Sequence, residues 1–419
     1  MPPLPYDGED GTVAQVLRRR ELGRALLARQ MLLERTDATA EEAVTRLVGM
    51  QAQAPYAPYF GLWSRLRKFG TADLTDALTK RRLVRVALMR STVHLVTTAD
   101  YRSLRPWAQP ALDRELDTAF KTILTGLDRA AVAESGRALL GARHLTPKEL
   151  GAALHERWPD REPRALATVV RNLVPLVQVP PRAVWGVGGT TRYATAACWT
   201  GAGPASAADS EHIVLRYLAA FGPASVADVQ TWAGRTRLRP VLERLRPRLA
   251  VFRDEHGVEL FDLPDAPRPD ADARAPVRFL PEYDNLLASH TDRTRVISEE
   301  ARKRVMTRNG MRATFLVDGQ VTGAWKLHPG KASATLEIDP FRPLTAIERA
   351  EIEAEGARLL EFAVPGAAHD LRDGTTPSVG SEDRVTGEET GQPSESPASP
   401  REAPAWRLGQ QATRPVHTR

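Results

Sequence analysis

Gln51 and Gln53 stand two residues apart in the run Gly49-Met50-Gln51-Ala52-Gln53-Ala54-Pro55. On a helix, two residues span about 200° of rotation and would send the amides to opposite sides. On an extended backbone the same spacing puts both on one side. Pro55 pushes Ala54 out of the helical region, and Gly49 loosens the turn before it. The spacing therefore predicts a helix ending near Met50, then an extended segment with both amides side by side. Such a pair can hold one water molecule or one polar ligand. Glutamine has no useful pKa, so the pair offers orientation and dipole rather than general-base chemistry. The competing reading is an amide network that satisfies backbone groups after a helix end.

The elements around this segment recur as a pattern of helices followed by two strands. Glu21–Glu34 carries Leu22, Leu26, Leu27 and Leu33 at helical spacing. Thr39 with Glu42 forms a capping box opening Ala40–Met50. A further helix is expected near Thr71–Lys80. Leu83–Met89 and Thr92–Val96 then read as a β-ribbon turning at Arg90-Ser91. A second copy opens on Thr146-Pro147-Lys148-Glu149, continues through Pro163–Leu173, and pairs Leu176–Val179 with Arg192–Cys198 around Gly186–Gly189. A third has helices near Glu211–Ala220, Ser225–Ala233 and Arg237–Leu245. Its strands are Leu249–Arg253 and Val258–Leu263. Helices followed by a hairpin, repeated, is the winged-helix plan of DNA-binding proteins. From Val277 onward, Val277–Leu287, Thr314–Val317, Val321–Leu327 and Ser333–Ile338 read as strands, with Asp318-Gly319 a tight turn and Ala346–Phe362 a closing helix.

The expected fold class is α+β. Three tandem winged-helix modules (residues 15–100, 101–205 and 206–270) precede a small, mainly-β, barrel-like domain (271–365) and a disordered tail (366–419). The tail reading rests on its wealth of Gly, Ser, Thr, Pro and Glu without apolar periodicity.

Composition narrows the setting. No run of about 18 apolar residues suggests a membrane span, and the N-terminus lacks the basic-then-apolar order of a signal peptide. The single cysteine, Cys198, excludes an intramolecular disulfide and a multi-cysteine metal site. A cytoplasmic, nucleoid-associated protein is expected. The net charge of +6 is carried almost wholly by arginine, a skew for which GC-rich coding is the plainer source. A mildly basic body suits nucleic acid without demanding it.

Three runs together resemble the AlkZ-like DNA glycosylases: Leu47–Pro55, Leu88-Met89-Arg90-Ser91-Thr92-Val93-His94-Leu95-Val96 and Leu280-Pro281-Glu282-Tyr283-Asp284-Asn285-Leu286-Leu287. The resemblance covers about residues 20–363, and this chain carries the family's Gln-x-Gln form of the catalytic motif. It implies a monofunctional glycosylase that cuts the N-glycosidic bond of alkylated purines, above all bulky N7-guanine adducts and interstrand crosslinks. Alkylation at N7 makes the base cationic and already a good leaving group. Positioned water and a stabilised oxocarbenium-like sugar are then enough, with Gln53 as the principal water-orienting residue and Gln51 as its partner. The resemblance further implies action without full base flipping.

Arg90 and His94 in the ribbon, with Arg82 and Arg85 before them, are the expected DNA contacts. A solvated face for the arginines and a buried, backbone-bonded His94 are the plainer alternatives. Asp284 is the carboxylate placed for a second role, stabilising positive charge on the sugar, against the alternative of a buried capping aspartate. No metal or nucleotide cofactor is expected. The partner is double-stranded DNA carrying alkylated bases, and the protein is expected to be a monomer. A non-catalytic winged-helix regulator is the alternative from another class. Whether Gln51 and Gln53 face a cleft or a packed core separates the two.

Overall fold

A computed structural model describes residues 15–307, 310–330 and 332–374. The helices begin largely where the sequence supplies caps. Thr39, Thr146 and Ser225 each accept a hydrogen bond from the amide three residues on, while Glu42, Glu149 and Asp228 reach back to the cap. These boxes open Ala40–Arg46, Pro147–His155 and Val226–Ala233. They satisfy amide donors that a helix start leaves orphaned. The first of these helices stops at Arg46, four residues before Met50. Val48 (φ 53°) and Gly49 (φ 94°) both enter the left-handed region and turn the chain into a strand. A β-branched residue there is uncommon. Gly49 cannot be replaced freely, because a Cβ would come within 2.7 Å of the Val96 side chain.

The strand pairs expected of the first two modules do not stand apart. They merge into one five-stranded antiparallel sheet in the order Met50–Gln51, Val93–Thr97, Leu83–Ala87, Leu176–Gln178, Tyr193–Thr195. The seam pairs Arg85 with Gln178 and Val86 with Val177. Met50–Gln51 is therefore an edge strand of a sheet that spans both halves. The third strand pair, Ala250–Asp254 with Glu259–Asp262, is joined by Val16–Leu17, which lies parallel to the first of them. At the head of the second expected module the chain adds helices Thr98–Trp107, Gln109–Thr118 and Arg129–Ala142. One large apolar core runs from Leu26 and Leu27 through Val86, Tyr101, Tyr217 and Trp232 to Leu286 and Leu316. The parts share an interior and are not beads on a string.

The C-terminal region is not barrel-like. Its five strands form an open sheet in the order Ala368–Asp373, Ser333–Pro340, Gln320–Pro329, Thr314–Val317, Arg278–Leu280. The two edge strands do not meet. Helix Ala346–Ala363 crosses over and returns the chain to pair in parallel with Ser333–Pro340, the connection a parallel pair requires. Ala368–Asp373 also corrects the expected tail, which was drawn from residue 366. The stretch from 375 onward lies outside the described residues. Val277–Leu287, expected as one strand, is a three-residue strand followed by a turn and a short 3-10 helix at Asn285–Leu287.

Candidate active site

The edge strand brings Gln51 beside His94, in the same cross-strand row as Val86 and Val177. Its inner side is held by the neighbouring strand, where Ala52 N–H donates to Val93 O at 2.7 Å. Its outer side, which would otherwise present unpaired backbone groups, is closed by Asn285. The Asn285 amide donates through Nδ2 to Gly49 O at 2.7 Å and accepts from Gln51 N–H through Oδ1 at 3.1 Å. One side chain from the C-terminal region thus imitates a further strand.

The two glutamines have different surroundings. Gln51 is 8% exposed, and its Oε1 accepts from Arg90 Nη2 at 2.9 Å. Gln53 is exposed and follows the end of the strand. Its Oε1 lies 3.4 Å from Val93 N–H, a long contact that leaves the amide nearly unspent. Of the expected extended Gln-x-Gln segment, Met50–Gln51 is strand while Gln53 lies in a bend beyond it, so one amide is fixed and the other is open to solvent.

Three of the four residues expected to meet DNA turn inward. Arg90 sits at φ 55° in the ribbon turn, and its guanidinium bonds Trp232 O at 2.5 Å as well as Gln51. Burial, with Arg293 nearby, brings its pKa down to about 10. Arg85 is 2% exposed, and its Nη2 donates to Ala52 O, the carbonyl between the two glutamines, at 2.7 Å. Its Nε and Nη1 have no partner. Burial without a carboxylate, with Arg182 close by, lowers its pKa to about 9. His94 is buried, with Nδ1 2.9 Å from Thr92 O, which makes Nδ1 the protonated nitrogen. Burial, reinforced by the Arg90 charge, pushes its pKa down to about 3, so the ring is neutral near neutrality. Neither Arg85 nor His94 reaches the surface. Arg82 does reach it, but is shared between Glu41 and Asp76.

Asp284 is likewise spoken for. It forms a bidentate pair with Arg65, both bonds 2.9 Å, with both side chains essentially inaccessible, and it caps the Asn285–Leu287 turn through Leu286 N–H. This is the geometry of the capping alternative. The residue that sequence reasoning missed is its neighbour Asn285. The signal was there in the run Leu280–Leu287, but a carboxylate draws attention that an amide does not.

Backbone strain gathers around the motif. Val48, Arg90, Ser91 and Tyr283 all have positive φ, and they mark three segments: the entry to the edge strand, the ribbon turn that carries Arg90, and the turn that carries Asn285. Left-handed non-glycine residues tend to cluster where a site is held under constraint. In the third helical region Arg244 pairs with Glu211, and Arg246 with Glu243 and Glu259. Among the described residues, no group of three or more His, Cys, Asp or Glu side chains could hold a metal ion. No helix among them is long and apolar enough to cross a membrane.

The chain matches the solved Streptomyces sahachiroi DNA glycosylase AlkZ with a TM-score of 0.71 at 19% identity, over 86% of this chain and 100% of that one. At that identity the likeness speaks for the fold. No curated protein matches it in sequence. The family model described as DNA glycosylase AlkZ-like matches residues 44–362, from the helix before the motif to the end of the closing helix. The chain belongs to the AlkZ-like family of DNA glycosylases.

Proposed function

We propose that this glycosylase is monofunctional and hydrolyses the N-glycosidic bond of alkylated purines in duplex DNA, above all bulky N7-guanine adducts and interstrand crosslinks. Gln53 orients the attacking water, and Gln51 is its fixed partner. The supporting observation is the asymmetry of the pair. Gln51 is tied to Arg90 and Asn285, while Gln53 is exposed with only a 3.4 Å contact. An amide network serving only to satisfy the backbone would have both side chains engaged. A primed, cationic leaving group suits a site that offers orientation and dipole in place of a strong base.

In this reading the protein acts as a monomer, without metal or nucleotide cofactor. Residues 15–100, 101–205 and 206–270 serve as winged-helix modules that carry the DNA. Incubation with duplex DNA bearing one N7-alkylguanine, followed by alkali and gel electrophoresis, tests it. Strand cleavage after alkali, with intact strands before it, supports monofunctional base release. Binding of the adducted duplex with no cleavage after alkali would make the protein a non-catalytic DNA-binding module.

A further inference from the structure

Hydrolysis releases a proton from water, and neither glutamine can accept it. The turn that carries Asn285 to the motif holds a carboxylate, Glu282, that pairs with no cation among the described residues. Glu282 and Tyr283 form the corner of that turn, with Tyr283 at φ 62°. The turn is anchored on both sides. Before it, Trp325 Nε1 donates to Leu280 O at 2.9 Å. After it come the Arg65–Asp284 pair and the clasp of Asn285 on Gly49 and Gln51. Tyr283 packs its hydroxyl against Gly310, where any Cβ would collide with it. Asn285 touches Gln51, and three residues of chain reach about 10 Å at most. The Glu282 backbone is therefore held close to the clasp of Asn285 on Gln51.

The charged and titratable groups around this turn are already committed. Asp284 is neutralised by Arg65, Arg90 is bonded to Gln51 and Trp232, and His94 is neutral. Tyr59, on the helix Ala57–Trp63, bonds Thr75 and Ala183 O. Among the described residues none of them pairs with Glu282, whose carboxylate finds its own backbone amide. Protein atoms surround the side chain closely while it keeps partial access to solvent, and this burial pushes its pKa above the ordinary carboxylate value. A rigid, half-buried carboxylate without a cation is costly unless a ligand answers it.

We infer that Glu282 is the proton acceptor for the water that attacks the sugar. The inference rests on the glycosylase reading above. In the step, water oxygen bonds to C1′ while the C1′–N9 bond breaks. The electron pair of that bond leaves with the alkylated base, which departs neutral. The water proton passes to the Glu282 carboxylate and then to solvent. The approaching cationic nucleotide favours the ionised carboxylate, so the substrate supplies the charge partner that the fold omits.

The test is single-turnover release of N7-methylguanine from duplex DNA across a range of pH, for wild type, Glu282→Gln and Glu282→Asp, with DNA affinity and thermal melting measured alongside. The wild-type rate falls on the acid side as one carboxylate titrates above its usual range. Glu282→Gln is slower by about 100-fold and has lost that acid limb, at unchanged affinity and melting temperature. Glu282→Asp melts as wild type does, keeps the limb and recovers part of the rate. A Gln variant that works at the wild-type rate, or one that is slow but keeps the acid limb, overturns the inference and leaves the glycosylase reading standing. Failure of the wild type to release any base overturns both.

Discussion

Arg90 and Gln51, 39 positions apart in sequence, are joined by a 2.9 Å bond from the Arg90 guanidinium to the Gln51 side-chain oxygen. The guanidinium is anchored in turn on Trp232 O. The bond links the turn of the ribbon, the edge strand and a helix of the third helical region, and it fixes one glutamine while the other stays free.

Replacing Arg90 with methionine leaves the Gln51 and Trp232 oxygens without their donor. The expected loss is about 1–3 kcal/mol of stability, the usual cost of stranding buried polar groups. A drop in base release of at least about tenfold should accompany it as Gln51 loses its orientation. Arg90→Lys, which can keep one of the two bonds, should fall between. Urea melts and single-turnover rates read both effects. An Arg90→Met protein that melts and reacts like wild type would show that the bond is idle.

Asp284 provides a contrasting case. Its pairing with Arg65 is inaccessible to solvent on both sides, and breaking a buried pair by removing one partner typically costs about 3–5 kcal/mol. Asp284→Asn should therefore melt much earlier, yet release base within about tenfold of wild type at temperatures where it remains folded. A variant of wild-type stability that has lost all activity would instead put Asp284 at the reacting sugar.

Acid should weaken the fold in a way that His94 reports. Its folded pKa is about 3, against about 6.5 for an unfolded histidine. Between these values the unfolded chain binds the extra proton, so stability declines as pH falls below about 6.5, by up to about 1.4 kcal/mol per pH unit. His290 is buried in a similar state, with its pKa also brought down to about 3, and adds a second contribution. Denaturant melts from pH 7 to pH 4 should therefore show a slope that shrinks by one proton in His94→Asn. An unchanged slope would mean that the ring is already charged in the folded protein.

Much of this was legible in the chain, because the signals were local. Capping boxes marked the starts of helices at Thr39, Thr146 and Ser225. The Gly49–Pro55 punctuation marked an extended segment, although Val48 and Gly49 end the helix earlier than the apolar run suggested. Other features depended on contacts far apart in sequence. The seam Arg85–Gln178 merges two expected wings into one sheet, and no pattern within either wing announces it. Ala368–Asp373 reads as tail because an edge strand with Leu371 as its one large apolar residue looks polar, and only its partner Ser333–Pro340 makes it a strand. The inward turn of Arg85 and Arg90 was equally hidden. Charge in a ribbon normally means surface, and here a carbonyl of the motif strand and a glutamine of the motif supply the partners instead.

The central claim is that Gln53, free at the end of the edge strand, orients the water that cuts the glycosidic bond. The most direct test is the single-turnover rate of N7-alkylguanine release from duplex DNA by wild type and Gln53→Ala, with affinity for the same duplex measured in parallel. Because Gln53 is exposed and barely bonded, the substitution should change stability by less than about 0.5 kcal/mol. It should lower the rate by about 100-fold or more at unchanged affinity. A Gln53→Ala protein that releases base at the wild-type rate would contradict the account.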